Sequence, residues 1–238
     1  MAEIIINTNF KTYTDANGGD PDSTSPTLRN YHKILWNKTL PNGTKFELTD
    51  KKSGTYLYHN SELGEFLLGS DAITHSYRNR KMNKQKIVEQ IPEDANELFE
   101  IGSTIGAYTI FPKNQIDKKQ TINQARGMNV FIDDRFDLTL ECIRLFYLGQ
   151  TSPLYDTFER YTNFFKVFDN FLDYVKFFLL DDLIDDKQQV KFYLPFDNFK
   201  TKPYFKDVED YRIYKKKVTE FIHLRNDRIN KYVEQLNK

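Results

Sequence analysis

Apolar positions follow two different rhythms along this chain. In the first half they come in short β-branched and aromatic runs separated by turn residues. In the second half they recur at helical spacing over long stretches. The first rhythm predicts strands over residues 3–10, 45–48 and 54–59, the last two forming a hairpin. Residues 107–111 read as a buried strand closed by Pro112. Ser25 followed by Pro26 is an N-cap and N1 pair, and the helix it opens runs to about Trp36, with Leu28, Tyr31 and Leu35 inward. Ser61 reads as the cap of a short helix reaching Leu68. Another helix is expected over 93–100, and 71–83 reads as an exposed, basic and polar loop or helix end.

The second rhythm begins at Thr121 and Gln124, which have capping-box spacing, with Gly127 placed to end that turn of helix. The next helix is expected to start near Asp133. Ser152 and Pro153 restart a long helix to about Leu180, striped by Phe158, Tyr161, Phe165, Phe168 and Leu172. After a short strand or extended connector at 190–196, the last helix runs from Val208 to Leu236 on an apolar stripe of Tyr211, Tyr214, Val218, Phe221, Ile222, Ile229, Tyr232 and Leu236. The predicted fold is α+β: a small antiparallel sheet in the N-terminal half packed on a largely α-helical, aromatic-rich C-terminal half. One domain is expected over 1–238, mixed over 1–120 and helical over 121–238.

Two polar features interrupt the apolar pattern. At ~100° per residue, Asp133, Asp134, Asp137, Glu141 and Arg144 would share one arc of the helix expected from 133. This reads either as a solvent strip or as the lining of a cleft. Crowded carboxylates repel one another and call for a cation nearby. Arg225 sits inside the apolar stripe of the last helix, and an unpaired buried guanidinium costs on the order of several kcal/mol. Arg225 is therefore expected either to meet that carboxylate arc or to snorkel to the surface.

Composition narrows the partners. Lys plus Arg number 34 and Asp plus Glu also 34, so net charge is zero, which argues against bulk electrostatic binding to nucleic acid or membrane. The compact basic run of Arg78, Arg80, Lys81, Lys84 and Lys86, together with Arg29, His32 and Lys33, is the one local surface that would suit nucleic acid. The single Cys142 lies in an apolar helix and reads as an inert core thiol, which suits a reducing, cytoplasmic location. The first ten residues lack a basic region and a long apolar run, so no signal peptide is read, and no stretch approaches ~18 uncharged apolar residues. The 20 Phe and 15 Tyr should dominate the core, and those exposed on the long helices would favour a homodimer.

Standard catalytic motifs do not occur: there is no Gly-rich phosphate loop, nucleophile elbow or zinc-spaced Cys/His set. Asp20, Asp22 and Ser23 alternate as oxygen ligands do in calcium loops, but without the closing Glu they read as turn and cap chemistry. His32 could act as a base, though a lone helical His is more often structural. The run DDLIDD over 181–186 resembles the Asp-rich motif of class I terpenoid synthases, and Asn226, Asp227, Asn230 and Glu234 resemble their second metal motif. Too little chain separates the two for that all-helical fold, so DDLIDD reads as an acidic helix end.

GAYTIFPKNQID, TINQARG, DRFDLTLECIRLFYLG, FYLPFDNF, FIHLRNDRI and the opening DPDSTSPTLRNYHKILWNKTLPNG resemble a bacterial family of unknown function across nearly the whole chain. The resemblance implies one domain and carries no catalytic residues. It suggests a setting near phage defence or mobile elements. Two functions follow as expectations. The first is a binding or interaction protein with a protein partner or a small anionic ligand. The alternative is an enzyme acting on a nucleotide or other phosphorylated ligand through residues 113–144. There Lys113, Asn123, Gln124, Arg126, Arg135, Arg144 and Arg225 would hold the anion, and Asp134, Asp137 or Glu141 would serve as acid, base or metal ligand. No cofactor or resident metal is expected.

Overall fold

The computed structural model describes residues 3–40, 42–50, 57–74 and 85–238. The basic positions Arg78, Arg80, Lys81 and Lys84 lie outside the described residues, as do residues 54–56 of the expected hairpin. The N-terminal half carries helices α1 (Pro21–Thr24) and α2 (Pro26–Trp36), then strands β1 (Lys38–Thr39), β2 (Lys45–Phe46), β3 (Thr49–Asp50), β4 (Leu57–Ser61) and β5 (Gly64–Ala72). Helices α3 (Gln85–Val88) and α4 (Pro92–Gly102) precede β6 (Tyr108–Pro112). Then come α5 (Ile122–Met128), α6 (Phe136–Tyr147), α7 (Tyr155–Arg160), α8 (Thr162–Phe165), α9 (Phe171–Phe177) and the long α10 (Val208–Leu236). The fold is α+β, with a small antiparallel sheet in the first half and helices in the second. None of the described helices is long and apolar enough to cross a membrane.

The main sheet has order β3-β4-β5-β6, all antiparallel, and β1 pairs with β2 separately. Register pairs Gly69 with Phe111, Ser70 with Ile110 and Asp71 with Thr109. Since side chains alternate across a strand, Leu68 and Ser70 share one face with Ile110, and Gly69 and Asp71 share the other with Phe111. The first face meets α2, where His32 bonds Ser70. The second meets α5, where Arg126 bonds Asp71. Both faces of β5 are thus covered, and Leu68, Ser70 and Asp71 are all buried.

Ser25 caps α2 as expected, accepting from the Leu28 amide at 3.1 Å, and Thr121 with Gln124 closes the capping box of α5. Several expectations fail for local reasons. Residues 3–10 form no strand. The Asn237 side chain bonds both the amide and the carbonyl of Ile4, and Tyr31 serves the Asn7 amide. Ser61 caps no helix: it ends β4, accepts from the Leu63 amide in a tight turn, and Gly64 at φ 128° starts β5. Gly127 lies inside α5, which ends one residue later. Asp133 and Asp134 have φ of 54° and 61°, a left-handed pair that no α-helix admits, so α6 begins only at Phe136.

The expected helix over 152–180 is three short ones. Asn170 interrupts it by capping α9 through the Asp173 amide at 3.0 Å. The aromatic stripe is buried nonetheless. Phe158, Phe164, Phe165, Phe168, Tyr174, Phe177 and Phe178 pack edge-on and tilted against one another and against Trp36 and Phe46. The large apolar side chains exposed on α10 are Ile213, Leu224 and Leu236, not its tyrosines or phenylalanines.

Candidate functional site

Arg126 is fully buried on α5. It donates from Nη1 to the Asp71 carboxylate, from Nε to Thr139 Oγ1 at 3.0 Å and from Nη2 to the Asp134 carbonyl at 3.4 Å. Its guanidinium lies 5.7 Å from the Phe111 ring centroid and 5.5 Å from that of Phe136. Burial opposes its charge, but the Asp71 and Asp134 carboxylates outweigh burial and hold Arg126 above its ordinary value. Burial pushes Asp71 up to about 6 against the pull of Arg126, which leaves it largely ionised at neutral pH. Asp71 falls in a stretch that reads as an exposed loop, so sequence spacing gave no sign of this pair.

Arg135, at the start of α6, is buried and holds both carboxylate oxygens of Asp137, whose Oδ2 also accepts from the Tyr193 amide at 2.9 Å. Glu141 is buried and grips Arg144 through two 2.8 Å bonds. The arc expected to be a solvent strip or a cleft lining is therefore mostly interior, with Asp137 paired to Arg135 and Glu141 to Arg144. Of the other expected anion ligands, Lys113 is half-buried with its aliphatic stem laid across Gly69, where a Cβ would collide with it. Asn123 is half-buried, and Gln124 is exposed and engaged in the capping box.

Arg225 is fully buried and does not meet the carboxylate arc. It donates to the carbonyls of Gly106 at 2.9 Å, Tyr108 at 2.8 Å and Phe178 at 2.9 Å. Phe178 is the C-cap residue of α9, so the cation sits at the negative end of a helix. Carbonyl dipoles thus replace the expected carboxylate. Burial lowers Arg225 to about 9, which leaves it charged at neutral pH. Two members of the expected basic surface, Arg29 and Lys33, converge on Asp50 at 2.8 Å each, while His32 points inward.

A second polar cluster gathers where α1 crosses β5. Asp20 caps α1 by accepting from the Asp22 amide at 3.2 Å. Asp22 is half-buried, and its Oδ1 is buried without a hydrogen-bond partner. Burial, then the neighbouring Asp71 and Asp20 carboxylates, push Asp22 up to about 7, with the Ser70 hydroxyl opposing. Behind it runs a hydrogen-bonded chain. Trp36 Nε1–H donates to His32 Nδ1 at 3.0 Å, and His32 Nε2 lies 2.9 Å from Ser70 Oγ. Burial and Arg225 lower His32 to about 3, so the ring is neutral. With Nδ1 accepting, its proton is on Nε2 and donates to Ser70, which lies beside Asp22.

Asp22 opens on a cavity of about 230 Å³ whose walls include Asp20, Thr74, Phe99, Ser103 and Tyr108. Tyr108 donates to or accepts from Thr12 Oγ1 at 2.8 Å, and its hydroxyl is raised by burial and by Asp22. The cavity is smaller than the roughly 300–1,000 Å³ typical of drug-sized ligands. Its charged lining is anionic, and two aromatic rings flank it. Such a wall suits a small organic cation, and a carboxyl that titrates near neutrality suits proton exchange. No group of three or more metal-ligating side chains occurs among the described residues. The sequence had offered Asp20, Asp22 and His32 as weak candidates, and it is the approach of Asp22 to Ser70 and Asp71, with His32 behind Ser70, that spacing could not show.

No curated protein and no solved structure matches the chain. One family model does, over residues 6–229, and its description is a family of unknown function.

Proposed function

Because the chain belongs to this family of unknown function, DUF6994, we propose a reading from its own geometry: it is a binding protein whose recognition site is the Asp20–Asp22 cavity. The ligand class is a small organic cation, an amine or guanidinium compound. The observation that carries this is the half-buried Asp22 carboxylate, with an unpartnered oxygen, at the wall of a cavity whose charged lining is wholly anionic. A cation would satisfy that oxygen and relieve the repulsion among Asp20, Asp22 and Asp71. The arginines of the anion site expected over 113–144 are, by contrast, already committed to Asp71, Asp137 and Glu141. The expected setting, a bacterial cytosolic protein of phage defence or a mobile element, is part of the proposal and rests on the sequence resemblance alone.

Isothermal titration calorimetry with agmatine and putrescine, against malonate as the anionic counterpart, tests the reading. Saturable amine binding that weakens about tenfold or more in Asp22→Asn, and is unchanged in Gln124→Ala, is the expected result. Malonate binding with no amine binding would restore the anionic site. A second reading, catalysis, draws on the same carboxyl. A group half-protonated near pH 7 and backed by Ser70 and His32 can take and return a proton.

A further inference from the structure

A second cavity, of about 510 Å³, lies away from Asp22 between the β1–β2 hairpin, the β4–β5 turn and the link from α8 to α9. His59 of β4 forms part of its wall. The ring is 2 % exposed and stacks on Phe46, with centroids 4.0 Å apart at 12°, while Phe66 lies parallel 6.0 Å away. Its Nδ1 faces the Glu47 backbone, 3.0 Å from the carbonyl and 3.3 Å from the amide nitrogen, so either tautomer of the ring finds a partner there. Burial lowers the His59 pKa, so the ring is neutral at pH 7. The remaining nitrogen, Nε2, is an acceptor in one tautomer and a donor in the other. It is buried and has no hydrogen-bond partner.

Buried polar atoms are almost always paired, with protein, water or ligand. Here the rigid aromatic clamp keeps the ring from turning toward another partner. The same cavity is lined by Asn42, Thr44 and Ser61, by Lys166, and by Lys45, whose ammonium lies 3.6 Å from the exposed Glu47 carboxylate. Glu62 is the one carboxylate in the wall, so the charged lining is net cationic. That is the reverse of the Asp22 cavity, and it selects a different ligand.

We propose that this cavity binds a small hydroxylated anion. A ligand hydroxyl, which can donate or accept, pairs with His59 Nε2, and the anionic group lies against Lys45 and Lys166. A hydroxy acid and a polyol phosphate share this chemistry. The stacked imidazole supplies a polar atom in a fixed place, and the flexible lysines supply charge without fixed geometry, so the hydroxyl sets specificity and the anion sets affinity.

The test is an imidazole ¹⁵N spectrum of the full chain, titrated separately with glycerol 3-phosphate and with glycerate. Glycerol and inorganic phosphate serve as probes carrying one determinant each. A saturable shift of His59 Nε2 with one or both hydroxylated anions is expected, along with weaker effects of glycerol and phosphate alone. Which of the two saturates first distinguishes a phosphate from a carboxylate ligand. His59→Phe keeps the aromatic stack and Lys166→Ala changes only a surface side chain. Each should weaken binding about tenfold or more while the thermal midpoint of Lys166→Ala stays at the wild-type value. No shift from either anion up to about 10 mM, a concentration that would reveal even millimolar affinity, would overturn the proposal. Undiminished binding in folded His59→Phe would overturn it equally.

Discussion

The Arg126–Asp71 pair should couple strongly, and its removal should be felt differently from each side. Arg126 has no exposure and Asp71 very little, so neither charge can recruit water when its partner is lost. Asp71→Asn leaves a buried guanidinium that cannot deprotonate. Removing one partner of such a pair costs about 3–5 kcal/mol, a large share of a typical domain stability of about 5–15 kcal/mol. Arg126→Met leaves a carboxyl that burial already raises to about 6, and that carboxyl can escape by taking a proton. Its cost should be near 3 kcal/mol at pH 8 and about 1–2 kcal/mol less at pH 5. In the double variant Asp71→Asn/Arg126→Met the two losses should fall short of additivity by about 1.5–3 kcal/mol. Urea unfolding is read conveniently through Trp36, the single tryptophan, which is fully buried. A cost under about 1 kcal/mol for Asp71→Asn, or additive losses in the double variant, would refute the claim that Arg126 is held for structure.

Three further outcomes follow from the same reasoning. Asp22 is raised to about 7 in the fold, so the folded state holds its proton more tightly than the unfolded chain between about pH 4 and 7, and stability from this group is lost as pH rises through that window. Asp22→Asn should therefore be more stable than wild type by about 1–3 kcal/mol at pH 8 and indistinguishable from it near pH 4, as chemical denaturation at the two pH values would show. Lys38, packed against the rings of Trp36, Phe177 and Tyr232, is lowered to about 7 by burial and by Arg225. The unfolded chain binds its proton more tightly, so this group adds stability as pH rises from about 7 to 10, and Lys38→Met should flatten that rise in thermal melts. Arg225→Lys should lose about 2–4 kcal/mol in urea unfolding, because one ammonium cannot span three carbonyls on two elements as the planar fork does.

What could be read in the sequence was local. Ser25–Pro26, the Thr121–Gln124 box and the bounds of α10 all depend on residues within a few positions of one another. The aromatic stripe was legible as core because burial follows periodicity even where the helix breaks at Asn170. Cys142 was legible too: it is fully buried and burial pushes its thiol up to about 12, which makes it inert at neutral pH. What failed depended on distant partners or on backbone sign. Asp133 and Asp134 fit a helical arc on paper, but their left-handed backbone excludes them from α6. The burial of Arg225 was visible from its place in the stripe, but its acceptors are main-chain carbonyls more than forty positions away, which no side-chain pattern records. Asp22 looked like one more turn residue, because its role depends on strands β5 and β6 arriving beside it.

The most direct test is the titration of the Asp22 carboxyl, followed by ¹³C NMR with and without saturating agmatine. The cation-site account predicts a pKa near 7 in the free protein. It also predicts a fall of about one unit or more when the cation binds, because a neighbouring positive charge favours the carboxylate. An ordinary carboxylate value near 4 that agmatine leaves unchanged would contradict it.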